Sequence, residues 1–147
     1  MSGVHTAIAE AVKDALNAAS LSSSFTATRV YVPELELRNT ENLVVRVWPA
    51  PEGRVTTLDR GTRSRKRREY PVFVGVLKKC DVDTNATVDA YAYLLEQIED
   101  EFLGNSLAGY TSAVCIAAEQ VALFAWENMR QKRQYTGVSR LTFVRFA

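Results

Sequence analysis

The strongest constraint on the fold is a segment of dense positive charge between two apolar runs. The runs are Leu43–Trp48 and Tyr70–Leu77, and both are rich in the β-branched and aromatic residues that favour strands. The segment between them, residues 54–68, holds seven basic residues and one acid, a formal charge of +6. It has too few apolar side chains to bury itself. The pattern predicts a β-hairpin with two core strands and a long, exposed connection.

This arginine-rich segment is the main functional feature of the sequence. Its basic residues are Arg54, Arg60, Arg63, Arg65, Lys66, Arg67 and Arg68. The whole chain is formally +1, so with +6 in this segment the remaining residues carry −5. Connections of this length inside compact domains are usually functional or disordered. Arginine has a planar fork that binds phosphate and carboxylate alike, so the segment either binds an anionic partner or is a solvated loop with no partner.

The length of 147 residues predicts a single domain over residues 1–147. Apolar residues recur at spacings of three and four across 4–19 and 88–103, which predicts two main helices. Strands are predicted at 25–32, 43–48, 70–77, 113–118 and 135–146, and a short helix at 122–134. This order predicts an α+β fold: a two-layer sandwich with a mostly antiparallel sheet of about four to six strands, two main helices on one face and a long extended hairpin loop.

The two runs that flank the basic segment place apolar residues on both faces of a strand. Such continuous patterns indicate burial on both sides. In a domain of this size, its own helices are expected to cover one face of the sheet. We expect a neighbouring subunit to cover the other face, which is a first indication of an oligomer.

The helix predicted at 88–103 holds five acids and no base. Asp89, Glu96 and Asp100 fall nearly opposite its apolar stripe at about 100° per residue, so they share one solvent face. A solvated surface is the simplest interpretation of any one of these acids. Together with the arginine-rich segment they form a charge-complementary pair. The sequence leaves open whether the two surfaces meet within one chain or between chains.

The sequence contains none of the catalytic or metal-binding patterns that we sought. His5 is the only histidine, and Cys80 and Cys115 lack metal-ligand spacing. No phosphate-binding glycine motif occurs, and no apolar run approaches the roughly 18 residues of a membrane span. We therefore predict no enzymatic activity, no cofactor, no metal site and no membrane segment. The two cysteines are expected to be reduced structural thiols.

The order of elements resembles the tail-terminator, or tail-completion, proteins of long-tailed bacteriophages. The resemblance rests on the first helix, the strand pair around the long loop, the helix at 89–102 and the closing strand at 139–146. It implies a structural virion protein that forms a hexameric ring on the head-proximal end of the tail tube. Such a ring stops tube growth and joins the tail to the neck or head.

The resemblance also implies partners and a location. The partners are other copies of the chain, the tail-tube protein and a neck or head-completion protein, and the location is the virion tail or neck after assembly in the host cytoplasm. In this family the long hairpin loop projects towards the tube or the lumen, which implies the same position for residues 54–68. The density of arginines departs from the family pattern.

Several targets of the arginine-rich segment stay open. It could grip an acidic rim of the tube, face DNA that passes through the ring, or bind a neighbour's helix through Asp89, Glu96 and Asp100. A head-to-tail ring contact requires two different complementary patches on each subunit, and this charge distribution offers them. The alternative function is a nucleic-acid-binding module that neutralises phosphates with the same segment, although that segment lacks aromatics for base stacking.

Overall fold

A computed structural model describes residues 3–32, 42–58 and 66–145, and the side chains of all of these except 57, 58 and 66. Within these ranges the fold is mixed α and β, with three helices and one curled, mostly antiparallel sheet. The elements are α1 (Val4–Ala18), β1 (Thr26–Arg29), β2 (Val44–Pro49), β3 (Val55–Leu58), β4 (Lys66–Lys79), α2 (Asn85–Phe102), β5 (Ser106–Leu107), β6 (Tyr110–Ala122), α3 (Trp126–Lys132) and β7 (Gln134–Arg145).

The sheet follows the order β1-β2-β4-β7-β6-β5, and β3 pairs with β4 outside this path. Among these pairs only β1 and β2 run parallel. The predicted combination of helices with a mostly antiparallel sheet is confirmed. The described ranges contain seven strands, one more than the upper end of the expected number.

Strand β4 organises the sheet. One edge pairs with β7 over Glu69–Lys79. The other edge pairs first with β3, over Lys66–Glu69, and then with β2, over Val72–Leu77. A turn separates β2 from β3, and within it Gly53 has a φ of +79°, a left-handed conformation that glycine adopts without steric cost. Strands β2 and β3 are therefore two parts of one hairpin arm.

The prediction of an irregular connection over residues 54–68 is wrong at both of its ends. Strand β3 and the first residues of β4 form a hairpin, and residues 66–68 extend past the last residue of β7 that pairs with β4. Strand β3 begins with three consecutive β-branched residues, which favour extended backbone. High charge is compatible with this pairing because an exposed hairpin buries few side chains. Residues 59–65 lie outside the described part of the chain.

One hydrophobic core joins α1, α2 and the sheet. The fully or almost fully buried helix residues are Ile8, Ala9, Ala11, Val12 and Leu16 of α1 and Leu94, Leu95, Ile98 and Phe102 of α2. Both apolar stripes predicted from the spacing are confirmed in their central turns. Val88 and Tyr91 are only partly buried because they lie where α2 begins, at the margin of the core.

The face of β2 and β4 away from this core is covered in part by atoms of the same chain. Trp48 is 6% exposed, Leu77 is fully buried, and the rings of Trp48 and Phe73 stack with centroids 5.7 Å apart. A Cβ on Gly75 would lie 3.0 Å from the Trp48 ring, so the glycine leaves room for the indole. The predicted two-sided burial is confirmed for most of β4, whereas Val44 on the second face of β2 is only half-buried. At the buried positions the covering atoms belong to the same chain, and the covering of the half-buried ones by a neighbouring subunit stays a prediction.

The C-terminal third departs most from the prediction. Strand β6 is 13 residues long, where the sequence indicated a strand at 113–118, and α3 begins only at Trp126. Irregularities at Ile116 and Val121 shift the register between β6 and β7. Each extra residue reverses the alternation of inward and outward side chains, so the strand has no continuous period-two pattern. The predicted closing strand is confirmed as β7, and residue 146 lies outside the described ranges.

Candidate assembly surfaces

The hairpin of β3 and β4 carries the described part of the arginine-rich segment. Arg54, Arg67 and Arg68 are exposed there. Arg60, Arg63, Arg65 and the side chain of Lys66 lie outside the described part of the structure. We call Arg54 together with residues 55–58 and 66–69 the basic hairpin.

Two of the three described arginines of the basic hairpin have no anionic partner within the described ranges. Arg67 lies with its Nε 3.3 Å from Glu69 Oε1, and both side chains are partly exposed, so this ion pair is weak. Arg54 and Arg68 form no ion pair with any described residue. Because Arg68 pairs with Thr56 and residues alternate along a strand, Arg68 and Arg67 project to opposite faces of the hairpin.

Helix α2 presents the predicted acids on its solvent face. Asp89, Glu96 and Asp100 are all exposed, and none forms an ion pair with another described residue. Tyr93 lies between them on the same face and is 55% exposed. The four residues fall within an arc of about 60° at 100° per residue, and Asp89 and Asp100 are about 16 Å apart along the axis. We call this group of four the acidic ridge.

Glu99, another acid of the same helix, has a structural role. Its carboxylate accepts a hydrogen bond from the hydroxyl of Ser139, a fully buried residue of β7. This contact fixes α2 on the sheet. The charge count of α2 alone therefore overstates the negative charge that the helix offers to a partner.

The acidic ridge and the basic hairpin do not neutralise each other within the described part of the chain. Helix α2 packs on β7 and β6, whereas the hairpin is built from β3 and β4 beyond the end of their pairing with β7. No ion pair between described residues joins the two surfaces. Each chain therefore presents one basic and one acidic surface to other molecules.

A third surface lies at the opposite end of the sheet from the basic hairpin, where β6 ends and α3 begins. Four apolar side chains are exposed there: Val121 at 58%, Leu123 at 37%, Phe124 at 43% and Trp126 at 65%. We call these four residues the apolar tip. Exposed apolar side chains grouped in this way are typical of surfaces that contact another protein. The sequence prediction missed this surface because it read residues 122–134 as one short helix, with Leu123 and Trp126 at helical spacing.

The apolar tip is tied to the core through Tyr135. The hydroxyl of Tyr135 donates a hydrogen bond to the Leu123 carbonyl at 2.5 Å, and the Ala125 N–H donates to the Thr136 carbonyl at 2.7 Å. Burial raises the pKa of Tyr135, and the negative charges of Glu96 and Glu99 raise it further, so its hydroxyl keeps its proton at neutral pH. The tip is thus held in a fixed position relative to β7.

The histidine and the two cysteines also have structural surroundings. His5 donates from Nε2 to the Pro71 carbonyl at 2.7 Å, and its ring meets the edge of Tyr70. Both thiols are free; burial raises the pKa of Cys115 to about 11 and also raises that of Cys80. A thiol with a raised pKa is mostly protonated at neutral pH and is a poor nucleophile.

Metal-binding clusters and membrane-spanning helices are both absent from the described ranges. No group of three or more His, Cys, Asp or Glu side chains there is arranged to hold a metal ion. None of the described helices has the length and apolar character needed to cross a membrane.

No protein-family model and no curated protein matches this chain. Its function is therefore inferred from the basic hairpin, the acidic ridge and the apolar tip, and from the body that fixes their relative positions.

Proposed function

We propose that this chain is the structural subunit of a hexameric ring that caps the tail tube of a long-tailed bacteriophage. The ring stops growth of the tube and joins the tail to the neck or head. One observation carries the proposal: a single chain exposes two separate surfaces of opposite charge, with Arg54 and Arg68 on the basic hairpin and three acids on the ridge. A contact between two different surfaces of identical subunits is head-to-tail, and it closes into a ring when the rotation between subunits permits.

The proposed subunit is a two-layer sandwich in which α1 and α2 cover one face of the sheet. Strand β4 is 14 residues long, or about 45 Å at roughly 3.3 Å per residue. The basic hairpin is therefore a direct extension of the central strand, without a flexible linker. A projecting element of this kind suits a joint between stacked parts of a particle, as the resemblance to tail-terminator proteins implies.

The apolar tip provides the proposed contact with the tail-tube protein or with the neck protein. It belongs to neither charged surface, so contacts within the ring leave it free for another component. The centres of protein interfaces are apolar and lose contact with water on binding, and the four exposed apolar side chains of the tip suit such a position. DNA passing through the lumen is a further partner in this arrangement, and the virion tail or neck is the proposed location.

A nucleic-acid-binding module is the second candidate function, because the exposed arginines of the hairpin also suit phosphates. Such a module would use Arg54, Arg60, Arg63, Arg65, Lys66, Arg67 and Arg68 for salt-dependent binding without sequence preference. The acidic ridge and the apolar tip favour the ring, since neither surface contributes to phosphate binding.

Native mass spectrometry tests the ring, first on the chain alone and then after mixing with the tail-tube protein of the same phage. We expect a hexamer in at least one of these conditions, and electron micrographs of the mixture should show tubes capped at one end. A strict monomer that never binds tubes contradicts the proposal.

Fluorescence anisotropy with a labelled DNA duplex tests the alternative. A nucleic-acid-binding module should bind the duplex, and its affinity should fall by orders of magnitude between about 50 and 200 mM salt. Such binding by a chain that remains monomeric in the mass spectrometer would favour the second candidate over the ring.

A further inference from the structure

We infer that the acidic ridge of α2 is the docking site for the basic hairpin of a second copy of this chain, with Tyr93 as its central aromatic contact. This inference rests on the proposed ring. It specifies which two surfaces of neighbouring subunits meet and which residues determine their pairing.

The composition of the ridge suits arginine in particular. Tyr93 exposes its ring between Asp89 on one side and Glu96 and Asp100 on the other. A guanidinium can lie over the face of a tyrosine ring and at the same time donate a pair of hydrogen bonds to a carboxylate. A lysine ammonium cannot match both geometries equally well. The described cations of the hairpin that have exposed side chains are all arginines.

The spacing of the two surfaces is also compatible. Arg68 pairs with Thr56, which is two residues after Arg54, so the two arginines are offset by about 6.6 Å along the hairpin, twice the rise per residue. Glu96 and Asp100 are about 6 Å apart along the helix axis. A hairpin lying along α2 can therefore place one arginine near each acid, and long arginine side chains accommodate the small difference.

Charge complementarity identifies a second copy as the occupant. Arg54 and Arg68 have no ion pair in the described part of their own chain, and the same holds for Asp89, Glu96 and Asp100. A second copy supplies a basic surface for each acidic surface in equal number. Every subunit then uses its hairpin towards one neighbour and its ridge towards the other, as a head-to-tail ring requires.

Charge reversal in two variants tests the contact. The first variant reverses the hairpin (Arg54→Glu with Arg68→Glu), and the second reverses the ridge (Glu96→Arg with Asp100→Arg). We expect each variant alone to lose self-association, because like charges then face each other. An equal mixture of the two should assemble again, since each reversed hairpin meets a reversed ridge. The four changes combined in one chain should also restore self-association.

Matched variants separate the docking contact from general effects of charge and folding. Glu101 is an exposed acid of α2 outside the ridge, so Glu101→Arg should leave self-association within about twofold of the parent chain. Tyr93→Ala should weaken self-association. Tyr93→Phe keeps the aromatic side chain and should therefore self-associate like the parent chain. Circular dichroism of every variant checks that the fold is intact, which we expect because all the changed residues are exposed.

Sedimentation velocity at low and high salt provides the measurement. Full assembly by both reversed variants would overturn the inference. The proposed ring would then have to form through other surfaces. Failure of the mixture to assemble would also overturn it. Loss of DNA binding by the hairpin variant, with no effect of the ridge variant on assembly, would assign the hairpin to nucleic acid instead. A parent chain that never self-associates, alone or on tubes, would remove both the inference and the proposed ring.

Discussion

The side-chain amide of Asn17 occupies the outer edge of β1 by bonding both backbone groups of Ala27. Its Nδ2 donates to the Ala27 carbonyl at 3.1 Å, and the Ala27 N–H donates to its Oδ1 at 2.7 Å. Strand β1 pairs with β2 on its other side. An open strand edge invites uncontrolled pairing with other chains. A residue at the end of α1 therefore substitutes for a neighbouring strand at this point.

We expect Asn17→Ala to lower the free energy of unfolding by about 1–3 kcal/mol, although the side chain is exposed. The reason is that Ala27 is only 3% exposed, so its N–H and carbonyl would lose their partners. Asn17→Asp keeps an acceptor for the N–H but no donor for the carbonyl, and its loss should be intermediate. Urea denaturation of the parent chain, Asn17→Ala and Asn17→Asp measures their free energies of unfolding. Equal stability of Asn17→Ala and the parent chain would contradict this account of the edge.

Two acids on α2 are expected to behave differently when removed. Glu99→Ala should destabilise the fold by about 1–3 kcal/mol, because the buried hydroxyl of Ser139 loses its charged acceptor. Glu96→Ala removes an exposed acid without a hydrogen bond and should change stability by no more than about 0.5 kcal/mol. Chemical denaturation of the two variants, with Ser139→Ala and the Glu99/Ser139 double variant, completes the comparison. Additive effects of Glu99→Ala and Ser139→Ala would contradict the contact.

Stability is expected to fall at alkaline pH because of Cys115. Burial raises the pKa of this thiol from 9.0 to about 11. The unfolded chain loses the proton near pH 9, whereas the folded chain keeps it until about pH 11. The stabilisation is therefore complete below pH 9 and disappears as the pH rises towards 11. Thermal melts across this interval should show a shallower decline for Cys115→Ala than for the parent chain. An identical decline of stability with pH in the two proteins would contradict a raised pKa of Cys115.

Substitution of Gly137 is expected to disturb both the core and the apolar tip. An added Cβ would lie 2.5 Å from the Tyr135 hydroxyl oxygen and 2.9 Å from the Leu123 carbonyl oxygen. Gly137→Ala must therefore displace the hydrogen bond between these two groups, at a cost of about 1–3 kcal/mol. The same change should cost less in a Tyr135→Phe background, where the crowded hydroxyl is absent. Thermal denaturation of the parent chain, the two single variants and the double variant measures both costs. An equal loss of stability on Gly137→Ala in the two backgrounds would contradict this account.

The two tryptophans are expected to report on different parts of the molecule. Trp126 is 65% exposed and Trp48 is 6% exposed, so iodide should quench the fluorescence of Trp126 and not of Trp48. Trp126→Phe should abolish the quenched fraction and change stability by no more than about 0.5 kcal/mol. Trp48→Ala should cost about 3–5 kcal/mol, since it empties a packed site. Protection of Trp126 from iodide on adding the tail-tube protein would mark the apolar tip as the contact, and unchanged quenching of the bound protein would place the contact elsewhere.

Helices and core strands were predictable because their signals are local and periodic. The stripe through Ile8, Val12 and Leu16 and the stripe through Leu95, Ile98 and Phe102 each follow the helical repeat. The apolar run of β4 is buried on both faces apart from the half-buried Phe73, as its composition indicates, whereas the second face of β2 is buried only at Trp48. The central strands were predicted correctly. The buried part of their second face is covered by the same chain, and a neighbour over the remaining part stays a prediction.

Irregular and non-local features were not predictable in this way. The register shifts at Ile116 and Val121 remove the alternation that marks a strand, so most of β6 was missed. The parallel pairing of β1 with β2 and the closure of its edge by Asn17 depend on which segments meet in space. Strand β3 was overlooked because its charged surroundings favoured an interpretation as a loop.

The charged surfaces were partly predictable. Helical spacing placed Asp89, Glu96 and Asp100 on one face, and the structure has all three exposed. Tyr93 occupies the same face by the same spacing, but the predicted face was defined by charge alone and so did not include this aromatic residue. The apolar tip could have been noticed as a run of large apolar residues at the boundary between a strand and a helix, where a turn is normally polar.

The length of β4 has a mechanical consequence. The basic hairpin is the first part of this strand, and the same strand pairs with β7 over Glu69–Lys79 and with β2 over Val72–Leu77. A pull on the hairpin along the strand loads these hydrogen bonds together in shear, whereas a sideways pull would open them one after another. Tension applied at the hairpin is thereby spread through the interior of the sheet, and the resistance of the subunit depends on the direction of the force.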